Sequence, residues 1–233
     1  MEVVIPISTI LLAAVVHATL QISLGCLLLL YHASRGKHIR KKTRSLVRSY
    51  VAGIGILSFL GVCAMCYVIL NLWQGPLGVE WLLIIVGILS VLTLGMWLLY
   101  YRWGKKGSEL WIPRVVARFI DRRAKVTNNR VEAFSLGVLT CFAELPFSLI
   151  LFVVTANSVL ELPYELQILM VAVYALITIL PLLIMCSCLR KGKTVVEVQR
   201  WRVKHKNFLR VIAGVGFLML AIFIFSFKVK GVL

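Results

Sequence analysis

One acidic side chain lies deep inside a long apolar segment of this chain, where an ionised group is unfavourable. Glu144 stands near the middle of the stretch from Val131 to Asn157, and no other Asp or Glu lies well inside an apolar stretch. On membrane-insertion scales a charged residue at this depth costs about 2.5–3.5 kcal/mol. We therefore expect the Glu144 carboxyl group to be protonated, paired with another side chain or turned toward a wet cavity.

Three other polar residues share this depth. His17 and Gln21 lie near the centre of the first apolar stretch, four positions apart, so that a helix presents both on one face. Thr140 has the same spacing from Glu144. We predict that His17, Gln21, Thr140 and Glu144 converge on a midplane site for a cation, a proton or a small polar solute. The alternative is a hydrogen bond that only locks two helices, worth about 0.6 kcal/mol on average in membranes.

Prolines and glycines interrupt the apolar stretches at several positions. Pro146, two residues after Glu144, and Pro181 predict helix breaks, and the break at Pro146 would free carbonyl groups beside the site. Close helix packing is predicted at the glycines of the second and third stretches, Gly53, Gly55, Gly61, Gly87 and Gly95.

The composition indicates that lipid is the solvent of this chain. Of its 233 residues 61% are hydrophobic and 15% are charged, against about 45–50% and 25% in soluble domains. Six stretches approach the ~20 residues that a membrane-crossing helix needs: Ile5–Tyr31, Tyr50–Trp73, Trp81–Tyr101, Val131–Asn157, Leu166–Cys188 and Phe208–Phe227. They do not alternate like barrel strands. The predicted fold class is an all-α integral membrane protein with six transmembrane helices.

The positive charges predict how the chain is oriented. Most of the 26 Lys and Arg lie in Ser34–Ser49, Arg102–Arg130 and Arg190–Lys206, and cytoplasmic loops retain such residues. We expect both termini outside the cytoplasm, in a bacterial cytoplasmic (inner) membrane, although Lys228 and Lys230 oppose this orientation. Charges placed in this way indicate contact with lipid headgroups and argue against nucleic acid as a partner.

The central basic loop has an amphipathic pattern of its own. Apolar residues at helical spacing alternate with basic ones: Ile112, Val115, Val116 and Phe119 with Arg114, Arg118, Arg122 and Lys125. Pro113 suits a first helical turn. The pattern predicts a short amphipathic helix on the inner leaflet, and the alternative is a solvated basic linker.

Six spans with both ends on one side can form two groups of three that enter the membrane in opposite senses. This is the inverted-repeat plan of many transporters. When the sequence is aligned with itself at an offset of 123 positions, Gln21 pairs with Glu144 and Ala33 with Ala156. The predicted organisation is a first three-helix unit at 1–101, the basic cytoplasmic loop at 102–130 and a second three-helix unit at 131–233.

Six cysteines suggest thiol chemistry, but their positions favour packing. Cys63 and Cys66 form a C-x-x-C inside the second span, where burial suppresses thiolate formation, and Cys186 and Cys188 lie near a cytoplasmic helix end. No Cys or His spacing matches a zinc site. We expect neither a metal nor another cofactor.

The three-plus-three layout, the basic central loop and the fourth-span run Glu132-Ala-Phe-Ser-Leu-Gly-Val-Leu-Thr-Cys-Phe-Ala-Glu-Leu-Pro146 resemble the superfamily of LysE-type exporters and CcdA/DsbD membrane electron carriers. The resemblance implies export of small solutes or ions, or transfer of reducing equivalents from cytoplasmic thioredoxin to an outer partner. In the electron-carrier branch one cysteine of the first span and one of the fourth form the working pair. The candidates in this chain are Cys26 and Cys141.

Three functions follow as expectations. The first is a small secondary-transporter-like protein, in which Glu144 binds a cation or exchanges a proton while His17 and Gln21 orient or relay it. The alternatives are a CcdA-like thiol carrier and an accessory membrane scaffold. Because the sequence contains no nucleotide-binding loop, catalytic triad or metalloprotease motif, we do not expect an enzyme. The oligomeric state is left open.

Overall fold

The regular structure of the protein is helical. The computed structural model describes residues 3–23, 39–102, 119, 122–123, 126–127, 129–190, 204–229 and 231, and this part of the chain has no strand. Its helices are α1 (Val4–Ser23), α2 (Ile39–Trp73), α3 (Val79–Arg102), α4 (Arg130–Leu160), α5 (Tyr164–Arg190) and α6 (Lys206–Ile224), which continues into a π-helical turn at Phe225–Val229. The predicted all-α fold class is confirmed.

Five of these helices are long and apolar enough to cross a bilayer. The candidate spans within the described residues are Val4–Gln21, Ser45–Trp73, Arg130–Leu160, Tyr164–Ile184 and Val211–Val229. The apolar stretch of α3, Val79–Gly95, is shorter. The chain is thus an integral membrane protein by the length and composition of its helices, and a sixth crossing by α3 stays a prediction.

The outer surface of the helices is apolar, while polar side chains lie inside. Leu70, Val91, Leu176 and Ile222 are each about half exposed or more, because no described part of the chain covers them fully. In water such a surface would be unfavourable, because each Å² of exposed apolar area costs about 25 cal/mol. The distribution is the one expected of a protein whose solvent is lipid.

Two features of the helices differ from the sequence prediction. α2 begins at Ile39, so the basic segment before Tyr50, which was predicted to be a loop, is helical from that residue onward. Hydropathy marks only the apolar part of a helix, whereas the hydrogen-bonded ladder can continue into the headgroup region. In addition, α4 and α5 continue as single helices through Pro146 and Pro181, so neither predicted break interrupts its helix.

The helices of the two halves of the chain are interlaced. α4 packs along α2 and also contacts α1, α5 packs against α1 and α2, and α6 packs against α3 and α1. Among α1, α2 and α3 themselves the described residues share few contacts. The core therefore lies between the halves, which places the polar residues of α1 and α4 at the centre of the bundle.

The closest approach of two backbones is the crossing of α2 and α4. A Cβ atom added at Gly137 would overlap the carbonyl oxygen of Tyr50, and one added at Gly53 would overlap the carbonyl oxygen of Phe134. Only glycine lets two helix backbones lie this close. Since Gly137 precedes Glu144 by two turns of α4, this crossing fixes the face that α4 turns toward its neighbours.

Several sequence predictions fall outside the described residues. Most of the predicted amphipathic helix, from Ile112 to Lys125, belongs to this group, and so do Cys26, Ala33 and Lys230. These predictions are left as they stand.

Candidate functional site

Two buried polar stripes line the facing sides of α1 and α4. Their members recur at intervals of four or eight residues and thus lie on one side of each helix. The α1 stripe consists of Thr9, His17 and Gln21, and the α4 stripe of Thr140, Glu144 and Ser148, all of them buried.

A hydrogen bond between Gln21 and Glu144 joins the two stripes. Gln21 Nε2 donates to Glu144 Oε2 at 2.7 Å, and the two side chains are 0% and 5% exposed. The other oxygen of each group, Gln21 Oε1 and Glu144 Oε1, has no hydrogen-bond partner among the described residues. The predicted approach of Gln21 to Glu144 is thus observed, and it leaves two buried acceptor oxygens unused.

His17 lies on the same stripe but bonds to a different residue. Its Nδ1 atom and the hydroxyl group of Tyr174 on α5 form a hydrogen bond of 2.8 Å. The His17 ring also meets the edge of Phe152, with 5.4 Å between centroids, and its Nε2 atom has no partner in the described part of the chain. His17 therefore does not bond Glu144 directly, and Tyr174 is a residue that the sequence reasoning missed.

Thr140 is likewise held by a tyrosine and not by the central pair. Thr140 Oγ1 donates to the Leu136 carbonyl at 2.8 Å. It also accepts a hydrogen bond of 3.4 Å from the hydroxyl group of Tyr50 on α2. One turn beyond the centre, Ser148 Oγ donates to the carbonyl of Glu144 at 3.2 Å. The four predicted residues thus occupy three neighbouring levels of one polar column, and only Gln21 and Glu144 touch each other.

The cysteines lie in packed surroundings. Cys141 is buried next to Ser58, one turn before Glu144. Cys63 and Cys66 are free thiols, and Cys66 Sγ donates to the carbonyl of Ala156 at 3.8 Å. The two thiols of the C-x-x-C therefore form no disulfide in this structure, and both side chains pack against the hydrophobic core. Cys26, the other half of the proposed redox pair, lies outside the described residues.

A second polar cluster closes one end of the bundle, which we call the Glu161 end. Lys228 Nζ lies 2.7 Å from Glu161 Oε2 and donates to Ser158 Oγ at 2.9 Å. Asn157 Nδ2 donates to Glu161 Oε1 at 2.9 Å, and the Leu77 amide donates to Asn157 Oδ1 at 2.6 Å. Lys228, a charge that opposed the predicted orientation, is thus neutralised by an ion pair. The opposite end, formed by residues 39–49 of α2 and the start of α4, is called the basic end.

Within the described residues no three His, Cys, Asp or Glu side chains cluster as ligands for a metal ion.

Comparisons of the chain with protein families, with curated proteins and with solved structures find no match. The resemblance to LysE-type exporters and electron carriers thus stays a prediction.

Proposed function

We propose that this protein is a small secondary-transporter-like membrane protein that carries a cation or a small polar solute past Glu144 and Gln21. Two inverted three-helix units would expose the central pair alternately to the two sides of the membrane. The basic end would face the cytoplasm, as the distribution of Lys and Arg predicts.

The observation that carries the proposal is the set of unused polar atoms around the central hydrogen bond. Glu144 Oε1, Gln21 Oε1 and His17 Nε2 are buried and unpartnered within the described residues. Two of the three are oxygen acceptors, the atom type that binds hard cations, ammonium groups and protons. A carboxylate and an amide oxygen side by side thus suit a positively charged ligand.

A purely structural role explains these atoms less well. A hydrogen bond that only locks two membrane helices contributes about 0.6 kcal/mol on average. Each buried polar atom left without a partner costs about 1–3 kcal/mol. Two such atoms on the bonded pair itself, Gln21 Oε1 and Glu144 Oε1, would make the lock unfavourable, whereas a ligand that bonds to them offsets this cost.

The arrangement of the helices also supports two inverted units. Exchange of α1 with α4, α2 with α5 and α3 with α6 converts the α1–α5 contact into the α4–α2 contact and the α1–α6 contact into the α4–α3 contact. It leaves the pairs α1–α4, α2–α5 and α3–α6 unchanged. Most of the contacts are thus related in the way that a twofold rotation between the halves would produce, and the exception is the α4–α5 contact, which has no equal counterpart between the described residues of α1 and α2.

The test is cation-dependent flux in liposomes that contain the full-length protein and an internal pH-sensitive dye. Imposed gradients of Na⁺, K⁺ or methylammonium should drive a flux in the wild type. Glu144→Gln keeps the size of the side chain but removes its negative charge. We expect it to lower the flux by about tenfold or more, equal to at least about 1.4 kcal/mol of lost interaction.

Glu165→Gln is the matched control, because Glu165 is an exposed acid in the first turn of α5. It should leave the flux unchanged. In detergent, a cation that binds should also raise the melting temperature of the wild type and not that of Glu144→Gln. Equal fluxes in wild type and Glu144→Gln would rule out the carboxyl group as the transport site.

The thiol-carrier alternative ranks second. Cys141 is 1% exposed, and a soluble thioredoxin needs direct access to the sulfur atom that it attacks. Nothing comparable to the unpartnered atoms of the central pair favours it. An accessory scaffold stays the third expectation.

A further inference from the structure

Two buried tyrosines flank the central pair, one on each side. Tyr50 on α2 bonds to Thr140 at 3.4 Å, and Tyr174 on α5 bonds to His17 at 2.8 Å. Both tyrosine side chains are 0% exposed. Interfacial tyrosines of membrane proteins normally keep their hydroxyl groups near water, so two that are fully buried in the bundle need an explanation.

The two contacts are related by the exchange of the halves. His17 precedes Gln21 by four residues, and Thr140 precedes Glu144 by four. The offset of 123 positions that aligns Gln21 with Glu144 therefore also aligns His17 with Thr140. Tyr50 and Tyr174 are 124 positions apart. Three pairs of residues are thus related by an offset of 123 or 124 positions. Under this exchange the His17–Tyr174 bond between α1 and α5 corresponds to the Thr140–Tyr50 bond between α4 and α2.

The local sequence around the tyrosines agrees with this equivalence. A buried valine precedes each tyrosine by three positions, Val47 on α2 and Val171 on α5. The side chains of both valines therefore lie next to their tyrosine on the same side of the helix. This repeat is separate from the repeat of α1 and α4, so it is an independent sign of duplication.

The two tyrosines lie on opposite sides of the central pair along the membrane normal. Gln21 bonds Glu144, whereas His17, one turn earlier on α1, contacts Phe152, two turns later on α4. The helices α1 and α4 are therefore antiparallel. Tyr174 and His17 lie toward the Glu161 end, and Thr140, with its partner on α2, lies about 6 Å toward the basic end.

We infer that Tyr50 and Tyr174 are equivalent positioning residues of two inverted units and close the Glu144–Gln21 site from its two sides. This inference rests on the proposed function for the identity of the site. Alternating access requires a separate barrier on each side, and each tyrosine supplies a ring and a hydroxyl bond to the stripe that it covers.

The two tyrosines hold their partners in different ways. The Tyr174 ring packs on His17 and Phe152, with centroids at 5.8 and 6.3 Å, in addition to its 2.8 Å hydrogen bond. Tyr50 makes a longer bond of 3.4 Å to a hydroxyl that already donates to its own helix. Each tyrosine thus contacts a polar residue of the stripe that it covers.

The test measures from which side a thiol placed between the barriers can be reached. The six native cysteines are replaced by alanine in the full-length protein, and Gln21→Cys on the α1 stripe, at the level of Glu144, serves as the probe. A charged, membrane-impermeant thiol reagent is applied from each side of liposomes. Single cysteines at Gln74 and Ser187, at the Glu161 end and the basic end, identify the two sides.

Tyr174→Ala should raise the labelling rate of the probe from the Glu161 end only, and Tyr50→Ala from the basic end only. We expect an increase of about tenfold, which corresponds to about 1.4 kcal/mol taken from the closed state. Phenylalanine at the same positions removes only the hydroxyl group and should give smaller increases from the same sides. These variants retain the packing of the ring and serve as the test if an alanine variant does not fold.

Each helix offers a matched control. Tyr67 on α2 and Tyr164 on α5 are 70% and 81% exposed, and alanine at either position should leave the labelling unchanged. An increase from both sides in one variant, an increase from the wrong side, or no increase in any variant would overturn the assignment of the two barriers.

The labelling and the flux report on different claims. If sided labelling is found but Glu144→Gln transports normally, the barriers stand and the proposed cation site fails. If Glu144→Gln abolishes flux but neither tyrosine changes access, the site stands and the barriers fail.

Discussion

Substitution of Gly137 by alanine tests how closely α2 and α4 cross. The added methyl group meets the carbonyl oxygen of Tyr50, which belongs to a helix backbone and cannot rotate away as a side chain would. The two helices must move apart, and contacts on both sides of the crossing loosen. Overpacking a core costs about 1–3 kcal/mol, and we expect the upper part of this range because both partners are backbone.

Gly87→Ala on α3 is the matched control. A Cβ added at Gly87 has no described atom within 4 Å, and alanine is favoured over glycine inside a helix by about 1 kcal/mol. The control should therefore be as stable as the wild type or more so. Both variants gain the same helix propensity, so the difference between them isolates the overlap, and we expect it to be about 2–3 kcal/mol.

The assay is equilibrium unfolding of the full-length protein in mixed micelles, with SDS as the denaturant and circular dichroism as the signal. Gly53→Ala, which meets the Phe134 carbonyl oxygen, should lose a similar amount of stability. If Gly137→Ala unfolds at the same denaturant fraction as Gly87→Ala, the close backbone contact does not exist and the placement of the α4 stripe is wrong.

Two further predictions use the same preparations. Lys228→Met should lower the free energy of unfolding by about 1–2 kcal/mol, a value reduced from that of a fully buried pair because the Glu161 side chain is 26% exposed. The double variant with Glu161→Gln should lose less than the sum of the two single variants, and strict additivity would contradict the ion pair. Alanine at both Cys63 and Cys66 should leave the flux unchanged and the free energy of unfolding within about 1 kcal/mol of the wild type. Loss of flux would favour thiol chemistry.

The central pair could be predicted from the sequence because it breaks a strong rule. A carboxyl group and an amide near the middle of apolar stretches are costly in lipid, and their four-residue spacing from Thr140 and His17 gives each helix a polar side. Lipid also makes the positions of most helices predictable, since each crossing needs a long apolar run.

The tyrosines were missed for a physical reason. Tyr50 stood at the predicted start of a span, where an interfacial tyrosine is expected. Tyr174 lies in a mostly apolar stretch, and its polar neighbour one turn later is Thr178, whose hydroxyl group bonds the Ala175 carbonyl of its own helix and so does not mark a site. A helix that is apolar on all sides does not reveal which face is buried. The burial of these hydroxyl groups depends on the rotation of α2 and α5, which only the packing of the bundle sets.

The glycines show the same limit. Close packing was predicted at several of them and is found at Gly53 and at Gly61, whose added Cβ would meet the Phe152 ring at 2.9 Å. At Gly87 and Gly95 no described atom lies within 4 Å of an added Cβ, so close packing at these two glycines stays a prediction. Glycine permits a close approach but does not attract a neighbour, so the sequence shows where helices can meet and not where they do.

The interlaced halves impose an order on biosynthesis. When α1, α2 and α3 leave the ribosome, their described residues can make few packing contacts with one another. Gln21 also enters the lipid before its partner Glu144 has been made. A chain that stops after α3 would keep few of the packing contacts seen among the described residues and is expected to be a substrate for membrane quality-control proteases. Two separately encoded halves, in contrast, would together hold the surfaces through which the described helices pack, and co-expressed halves are expected to assemble.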